Sequence, residues 1–203
     1  MQLDTILIFL LSASILTLSP GPDIIYVFFK SSTEGIRAGV KTVFGLTTGL
    51  IFHTLLLVFG ISALINSNEN VFFVLKLFGF FYFIFLAIKT YNESLKIYKK
   101  SNYNKNDFIT GLLMNILNPK VSVFFIAFFP NYIFHNSWTY ELQFALLGLL
   151  FWIIANTIFL LVVFLSSFNT VIVKKIINNK KIKILKSVFY IIIAIWILKK
   201  IQI

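Results

Sequence analysis

Apolar residues along this chain form six long runs, separated by short segments rich in polar and charged residues. A helix needs about 20 apolar residues to cross roughly 30 Å of hydrocarbon. The predicted spans are residues 3–29, 38–65, 71–91, 108–134, 140–168 and 184–198. The pattern predicts an all-α, polytopic membrane protein, with residues 1–203 forming a single membrane domain.

The first and fourth runs are each interrupted by proline. The first contains Ser19-Pro20-Gly21-Pro22-Asp23, and the fourth contains Asn118-Pro119-Lys120 with Asn115 one turn earlier. Proline has no backbone N–H, so a carbonyl one turn before it loses its helical partner. Broken helix within a membrane is tolerated where it is packed in protein or lines a cavity. Two such breaks point to a transporter's binding or gating site, and the alternative is a pair of ordinary proline kinks.

Basic residues are concentrated in alternate connections. The first, third and fifth connections carry 14 of the 18 Lys and Arg residues, and the net charge is +11. The positive-inside rule therefore places these connections in the cytoplasm and both termini outside. A re-entrant first segment would instead place the N-terminus inside. The same distribution gives no aromatic-studded basic patch, so no nucleic-acid partner is expected.

The two groups of three spans have opposite predicted orientations. This is the inverted-repeat plan of many secondary transporters, with halves of about 1–100 and 101–203 and with the first and fourth helices broken. Two sets of residues share a spacing of i, i+4 and i+8, which are Gly45, Gly49 and His53 in the second span and Gly148, Trp152 and Asn156 in the fifth. Chance is the alternative explanation for this likeness.

Asp23 and Lys120 are ionisable groups beside the two breaks. Charged residues inside a membrane are costly, and they mark substrate or proton routes or pair with one another. The sequence leaves open whether these two form a structural ion pair or contact the substrate directly. His53, inside the second span, is a candidate for proton coupling, and a hydrogen-bonded packing role is its alternative.

The remaining candidates are assigned to packing and hydrogen bonding. Gly45 and Gly49 form a small-residue face that lets helices approach closely, and Asn115 and Asn118 supply uncharged hydrogen-bonding groups. Gly79 and Tyr82, in the middle of the third span, are also expected to serve helix packing.

Several chemistries find no support in the sequence. Cysteine is absent, which excludes disulfides and thiolate metal sites. There is no nucleophile-elbow motif and no zinc-protease motif. The protein is therefore not expected to be an enzyme or to have catalytic residues, and no metal or cofactor is expected. Rows of charged residues typical of channel pores are also missing.

At these motifs the chain resembles the LysE/RhtB family of amino-acid exporters over nearly its whole length. The matching segments are SPGPD at 19–23, EGIRAGVKTVFGLTTG at 34–49, GFFYFIFLAIK at 79–89 and GLLMNILNPKVSVFFIAFFP at 111–130. The resemblance implies six hydrophobic segments and export of amino acids or close derivatives, driven by the proton motive force. The family motif residues found here are Pro20, Gly21, Pro22, Asp23, Gly45, Gly49, Gly79, Tyr82, Asn115, Asn118, Pro119, Lys120 and Pro130.

Two positions depart from the family pattern. Ala87 stands where the family often has glycine, and the last span has no glycine at all. No functional role is therefore predicted for the last span.

The hypothesis from the sequence is a six-helix exporter of amino acids in the bacterial plasma membrane, working by alternating access. Its partners are a small-molecule substrate and the lipid bilayer, and the sequence leaves a homo-oligomer open. Two rival functions are export of another small solute or ion, and a membrane scaffold or sensor without transport.

Overall fold

The computed structural model describes residues 3–19, 21–63, 69–92, 106–168 and 180–199, which are almost entirely helical. The described helices are α1 (Leu3–Leu18), α2 (Pro22–Glu34), α3 (Ile36–Leu56), α4 (Glu69–Asn92), α5 (Asp107–Ile116), α6 (Pro119–Val123), α7 (Tyr140–Phe168) and α8 (Lys180–Lys199). Helix α3 continues into a π-helical turn at Leu57–Ile61. Helix α6 continues into a π-helical turn at Phe124–Phe128 and a 3-10 turn at Phe129–Tyr132.

Among the described residues, three stretches of helix are long and apolar enough to cross a membrane unaided, namely Ile36–Ile61, Phe73–Asn92 and Tyr140–Ser167. Two helix pairs qualify only when each is taken as one bent span. The pair α1 and α2 is bent by 55°, and α5 is bent by 47° from the segment that starts at Pro119. A further apolar helix, Ser187–Leu198, is shorter. The chain is therefore a multi-pass helical membrane protein.

Large apolar side chains on the outer faces of the helices are exposed. Leu11 of α1, Phe81 of α4 and Leu165 of α7 are each more than half exposed, at 63%, 65% and 59%. A water-soluble chain rarely exposes so many apolar residues in continuous patches. These faces are suited to contact with lipid, so the polar groups of interest lie on the opposite, inner faces.

Helix α3 packs closely against α5 because both present glycine at the crossing. A Cβ at Gly45 would overlap the carbonyl oxygen of Phe108, and a Cβ at Gly111 would overlap that of Thr42. Only a hydrogen atom fits at these two positions, as in other small-residue helix interfaces in membranes. The contact fixes how α3 lies along α5, and therefore which side chains of α3 reach the second break.

Helices α2 and α3 are joined by one residue, Gly35. Its φ of 89° and ψ of 175° lie in a region that is open essentially to glycine alone. The spans predicted from the sequence left residues 30–37 between them, so the observed connection is much shorter than predicted. Lys30 lies in α2, whereas Arg37 and Lys41 lie in the first turns of α3.

The helix boundaries otherwise follow the apolar runs. The fifth predicted span, 140–168, coincides with α7, and the predicted breaks fall between α1 and α2 and between α5 and α6. The prediction of an all-α polytopic membrane protein is confirmed. The six-span inverted repeat stays a prediction, as does the orientation, which depends partly on connections outside the described residues.

Candidate functional site

The two helix breaks lie side by side inside the protein. Helix α2 begins at Pro22 and α6 begins at Pro119, both at the first helical position, where a missing N–H costs nothing. The side chain of Asn118 spans the gap between them. Its Nδ2 donates a hydrogen bond of 2.8 Å to Oδ2 of Asp23, and its Oδ1 accepts one of 3.0 Å from the backbone N–H of Lys120. One amide thus caps α6 and ties it to the first break.

Each break leaves a particular backbone carbonyl without its helical donor. The carbonyl of Leu16 would pair with the N–H of residue 20, and that of Asn115 with the N–H of residue 119, but both are prolines. Positions 16 and 115 are 99 residues apart, as are Pro20 and Pro119. A buried carbonyl without a donor is costly, so each requires a substitute for the missing N–H.

Lys120 serves the carbonyl at the first break. Its Nζ lies 3.3 Å from the carbonyl oxygen of Leu16 and 3.5 Å from that of Ser19, at the C-terminal end of α1. A cation is favourable at this end of a helix because of the helix dipole. The side chain passes next to Gly21, where a Cβ would lie only 3.1 Å from Nζ.

His53 serves the carbonyl at the second break. Its Nε2 lies 3.3 Å from the carbonyl oxygen of Asn115, which also accepts a bond of 3.0 Å from the N–H of Asn118. Because a carbonyl can only accept, Nε2 must carry the hydrogen. Gly49, one turn before His53, packs so tightly against Asn115 that a Cβ there would overlap its side chain.

Asp23 and Lys120 do not form the direct ion pair that the sequence left open. Near the site, the described side chains at ion-pair distance are Lys30 with Glu34 and Lys30 with Asp107. Lys120 is drawn instead to the carbonyls freed by proline, while Asp23 is held by Asn118. The two charges are therefore coupled through the backbone and an amide.

A small cavity of about 20 Å³ lies between these groups. Its polar lining includes Ser19, Asp23, Asn115 and Lys120. Its apolar lining comes mainly from α7 and neighbouring helices, and consists of Leu16, Ile24, Leu50, Val121, Phe151, Ala155 and Phe159. Cavities of this size hold about one water molecule.

Two oxygens beside this cavity are buried without a hydrogen-bond partner among the described residues, Oδ1 of Asp23 and Oδ1 of Asn115. Asp23 is 4% exposed and Asn115 is 1% exposed. Buried polar atoms in folded proteins nearly always have a partner, so unpaired acceptors mark a place where a donor is needed. The site can accept hydrogen bonds through these oxygens and can offer a cation through Lys120.

An ion-pair cluster joins the same two broken helices nearer one end. Nζ of Lys30 lies 2.5 Å from Oε2 of Glu34, within α2, and 2.8 Å from Oδ1 of Asp107, at the start of α5. Lys30 is seven residues from Asp23, and Asp107 is eight from Asn115, so each lies about two turns from the cavity along its helix. The cluster holds α2 against α5 on one side of the site.

Several other predicted residues do not line the cavity, and one is outside the described residues. Gly79 and Tyr82 lie on α4, away from the cavity lining, and a Cβ at Gly79 would overlap Ala127. Pro22 and Pro119 are exposed at the helix starts. Pro20 lies outside the described residues.

Sequence reasoning missed the residues that complete the cavity. Ser19 is hydrogen-bonded at 2.8 Å to the hydroxyl of Tyr190, in the last span for which no role was predicted. Phe151, Ala155 and Phe159 line the cavity from α7. Their spacing of four residues on one helical face was a signal available in the sequence, whereas no local signal linked Tyr190 to Ser19.

A multi-pass helical protein in which two interrupted helices meet at a buried polar cavity has the architecture of a secondary transporter. Residues 14–199 match the family model described as LysE type translocator. The chain belongs to the LysE type translocator family, a family of membrane transporters, as the resemblance indicated.

Relatives share moderate sequence identity with this chain. It is 27% identical over 192 residues to the uncharacterized membrane protein YrhP of Bacillus subtilis, covering 88% of this chain and 89% of that protein. It is 32% identical over 129 residues to a homoserine/homoserine lactone efflux protein of Salmonella typhimurium, covering 62% of this chain and 63% of that protein. No solved structure matches the chain.

The bridging role of Asn118 predicts that it contributes strongly to stability. In Asn118→Ala, α6 loses its cap and Asp23 loses the only side-chain donor it has among the described residues. The free energy of unfolding should therefore fall by about 2–4 kcal/mol. Unfolding of the purified protein in detergent, followed by circular dichroism, measures this change.

Asn156→Ala is the matched control, because the Asn156 amide bonds only to the Trp152 carbonyl of its own helix. It should cost less than about 1 kcal/mol, as for most substitutions that break no network. Equal losses in the two variants would show that Asn118 does not bridge the breaks.

Proposed function

We propose that this protein exports amino acids or close derivatives from the cytoplasm and that they bind where the two breaks meet. The observation that carries the proposal is a buried cavity with an unpaired carboxylate oxygen and a lysine on opposite sides of one amide bridge. Membership of a translocator family supports it, as does similarity to a homoserine/homoserine lactone efflux protein. The proposal is transport without catalysis.

An amino acid presents an ammonium and a carboxylate on the same carbon, and both need partners in a membrane. Oδ1 of Asp23 accepts from the ammonium. Lys120, with the N-terminal end of a helix that restarts after a break, holds the carboxylate. On binding, Lys120 would exchange its two long carbonyl contacts for a charged partner.

The closed cavity requires movement for substrate to enter. A volume of about 20 Å³ accommodates about one water molecule and is too small for an amino acid. We propose alternating access between two inverted halves, about 1–100 and 101–203. If the cavity opened on the side of Lys30, Lys30 would separate from Asp107. Glu34, which is in the same helix as Lys30, would keep Lys30 paired.

A substitution that removes the charge of Asp23 or Lys120 but keeps its hydrogen bonds distinguishes a role in substrate binding from a role in folding. In Asp23→Asn the new amide oxygen still accepts from Asn118, and in Lys120→Gln an amide still donates. We expect both variants to fold, because the hydrogen bonds are kept, and to lose amino-acid export. Export from inside-out vesicles or proteoliposomes measures the effect.

Asp4→Asn and Lys41→Gln are matched controls, since both residues are exposed. They should leave export unchanged. Normal export by Asp23→Asn and Lys120→Gln would contradict the proposed site. A parent protein that moves another solute but no amino acid would favour the first rival function, and no flux of any solute would favour a scaffold or sensor.

We further propose that export is coupled to the proton motive force, with His53 as the candidate proton carrier. His53 is buried inside a span and lies one hydrogen bond from the backbone of the site residue Asn115. Its imidazole is suited to proton exchange at physiological pH. Its contact also serves structure, so the test must separate the two roles.

His53→Gln keeps an N–H that can reach the Asn115 carbonyl but cannot exchange protons. We expect export driven by a pH gradient to fall by about 100-fold or more, the usual range for loss of a proton-transfer group. Counterflow, which needs no net proton movement, should be unchanged. His135→Gln, in the loop before α7, is the control, and unimpaired pH-driven export by His53→Gln would remove His53 from the coupling.

A further inference from the structure

The cavity lining is divided by charge, and this division bears on which amino acids the proposed site accepts. Asp23 and Lys120 are the charged residues among the described residues that line it. The other lining residues are uncharged, and the wall formed by α7 is wholly apolar. In the proposed function, on which this inference rests, both charges are occupied by the substrate's ammonium and carboxylate.

A third charge, on the substrate's side chain, would have no counter-charge in this lining. The other buried ionisable residues in the described ranges, His53 and Lys76, are outside it. The Lys30 cluster lies about two helical turns away and is already paired. Burying an unpaired charge is strongly unfavourable, so a cationic or anionic side chain would be rejected.

The apolar wall also limits the size of the side chain. Phe151, Ala155 and Phe159 follow one another at intervals of four, so they form a continuous stripe on one face of α7. All three are buried, with exposures of 2%, 1% and 4%. Ala155 is the small residue between two phenylalanines of this wall, so a larger side chain at this position would take up room in the cavity.

We propose that the site takes amino acids with uncharged side chains of small to moderate size, and that Ala155 is a specificity-determining residue. The side chain of the substrate lies against Ala155, between Phe151 and Phe159, while its α-ammonium and α-carboxylate face the breaks. Changing the size or charge of residue 155 therefore changes which amino acid is accepted. The partners of the substrate's α-ammonium and α-carboxylate stay the same.

The first test needs no substitution. Purified protein in liposomes is assayed for homo-exchange, with each amino acid both inside and outside the vesicle, using labelled alanine, leucine, lysine and glutamate in parallel. We expect alanine or leucine to exchange at least about tenfold faster than lysine or glutamate, because an unpaired buried charge is disfavoured. Exchange of lysine or glutamate at the rate of the neutral amino acids would overturn the inference.

The second test converts the specificity. Ala155→Asp supplies a carboxylate on the apolar wall, and we expect the ratio of lysine to alanine exchange to rise by about tenfold. Ala145→Asp is the matched control, since Ala145 lies exposed on the same helix and away from the cavity. An unchanged ratio in a folded Ala155→Asp protein would contradict the role of this residue.

Ala155→Leu gives a readout of size in case the charged variant does not fold. Leucine exchange should fall more than alanine exchange, and equal falls would contradict the proposed wall. These assays distinguish failure of the proposed function from failure of the inference about specificity. If no amino acid exchanges, the proposed function is wrong and the inference is overturned with it, whereas exchange without discrimination by charge overturns the inference alone.

Discussion

Two backbone carbonyls determine the inner organisation of this protein. Proline follows Leu16 and Asn115 at the fourth position, so neither carbonyl can receive the usual helical hydrogen bond. Within a membrane no water is available to replace the missing donor, and the fold must supply one. Lys120 donates to the Leu16 carbonyl, whereas the Asn115 carbonyl accepts from the backbone N–H of Asn118 and from His53. The side chain of Asn118 joins the two breaks. The buried polar centre follows from this requirement.

The structural and the functional explanations of these residues are compatible. The bond from Asn118 to Asp23 is short, at 2.8 Å, whereas the contacts of Lys120 with the carbonyls are 3.3 and 3.5 Å. Hydrogen bonds weaken as they lengthen beyond about 3.2 Å. The contacts of Lys120 are therefore weaker than the bond of Asn118, so in the proposed mechanism a substrate carboxylate draws Lys120 away from the carbonyls while Asn118 keeps the broken helices together.

The sequence predicted the breaks well because proline acts locally and its effect needs no knowledge of the fold. It did not predict the partners across the breaks. The contact of His53 with Asn115 depends on how α3 crosses α5 at Gly45 and Gly111, and the bond of Ser19 to Tyr190 depends on where the last span packs. The connection before α3 is shorter than the predicted spans implied, since a single glycine with positive φ joins α2 to α3.

Recognition of both charged groups of an amino acid is the central claim, and ligand-induced thermal stabilisation tests it most directly. The purified protein is heated with the amino acid that exchanges fastest, and separately with its decarboxylated and deaminated analogues. If Asp23 and Lys120 bind the two groups together, only the intact amino acid raises the midpoint of unfolding substantially. Equal stabilisation by the amine or the acid alone would contradict the account.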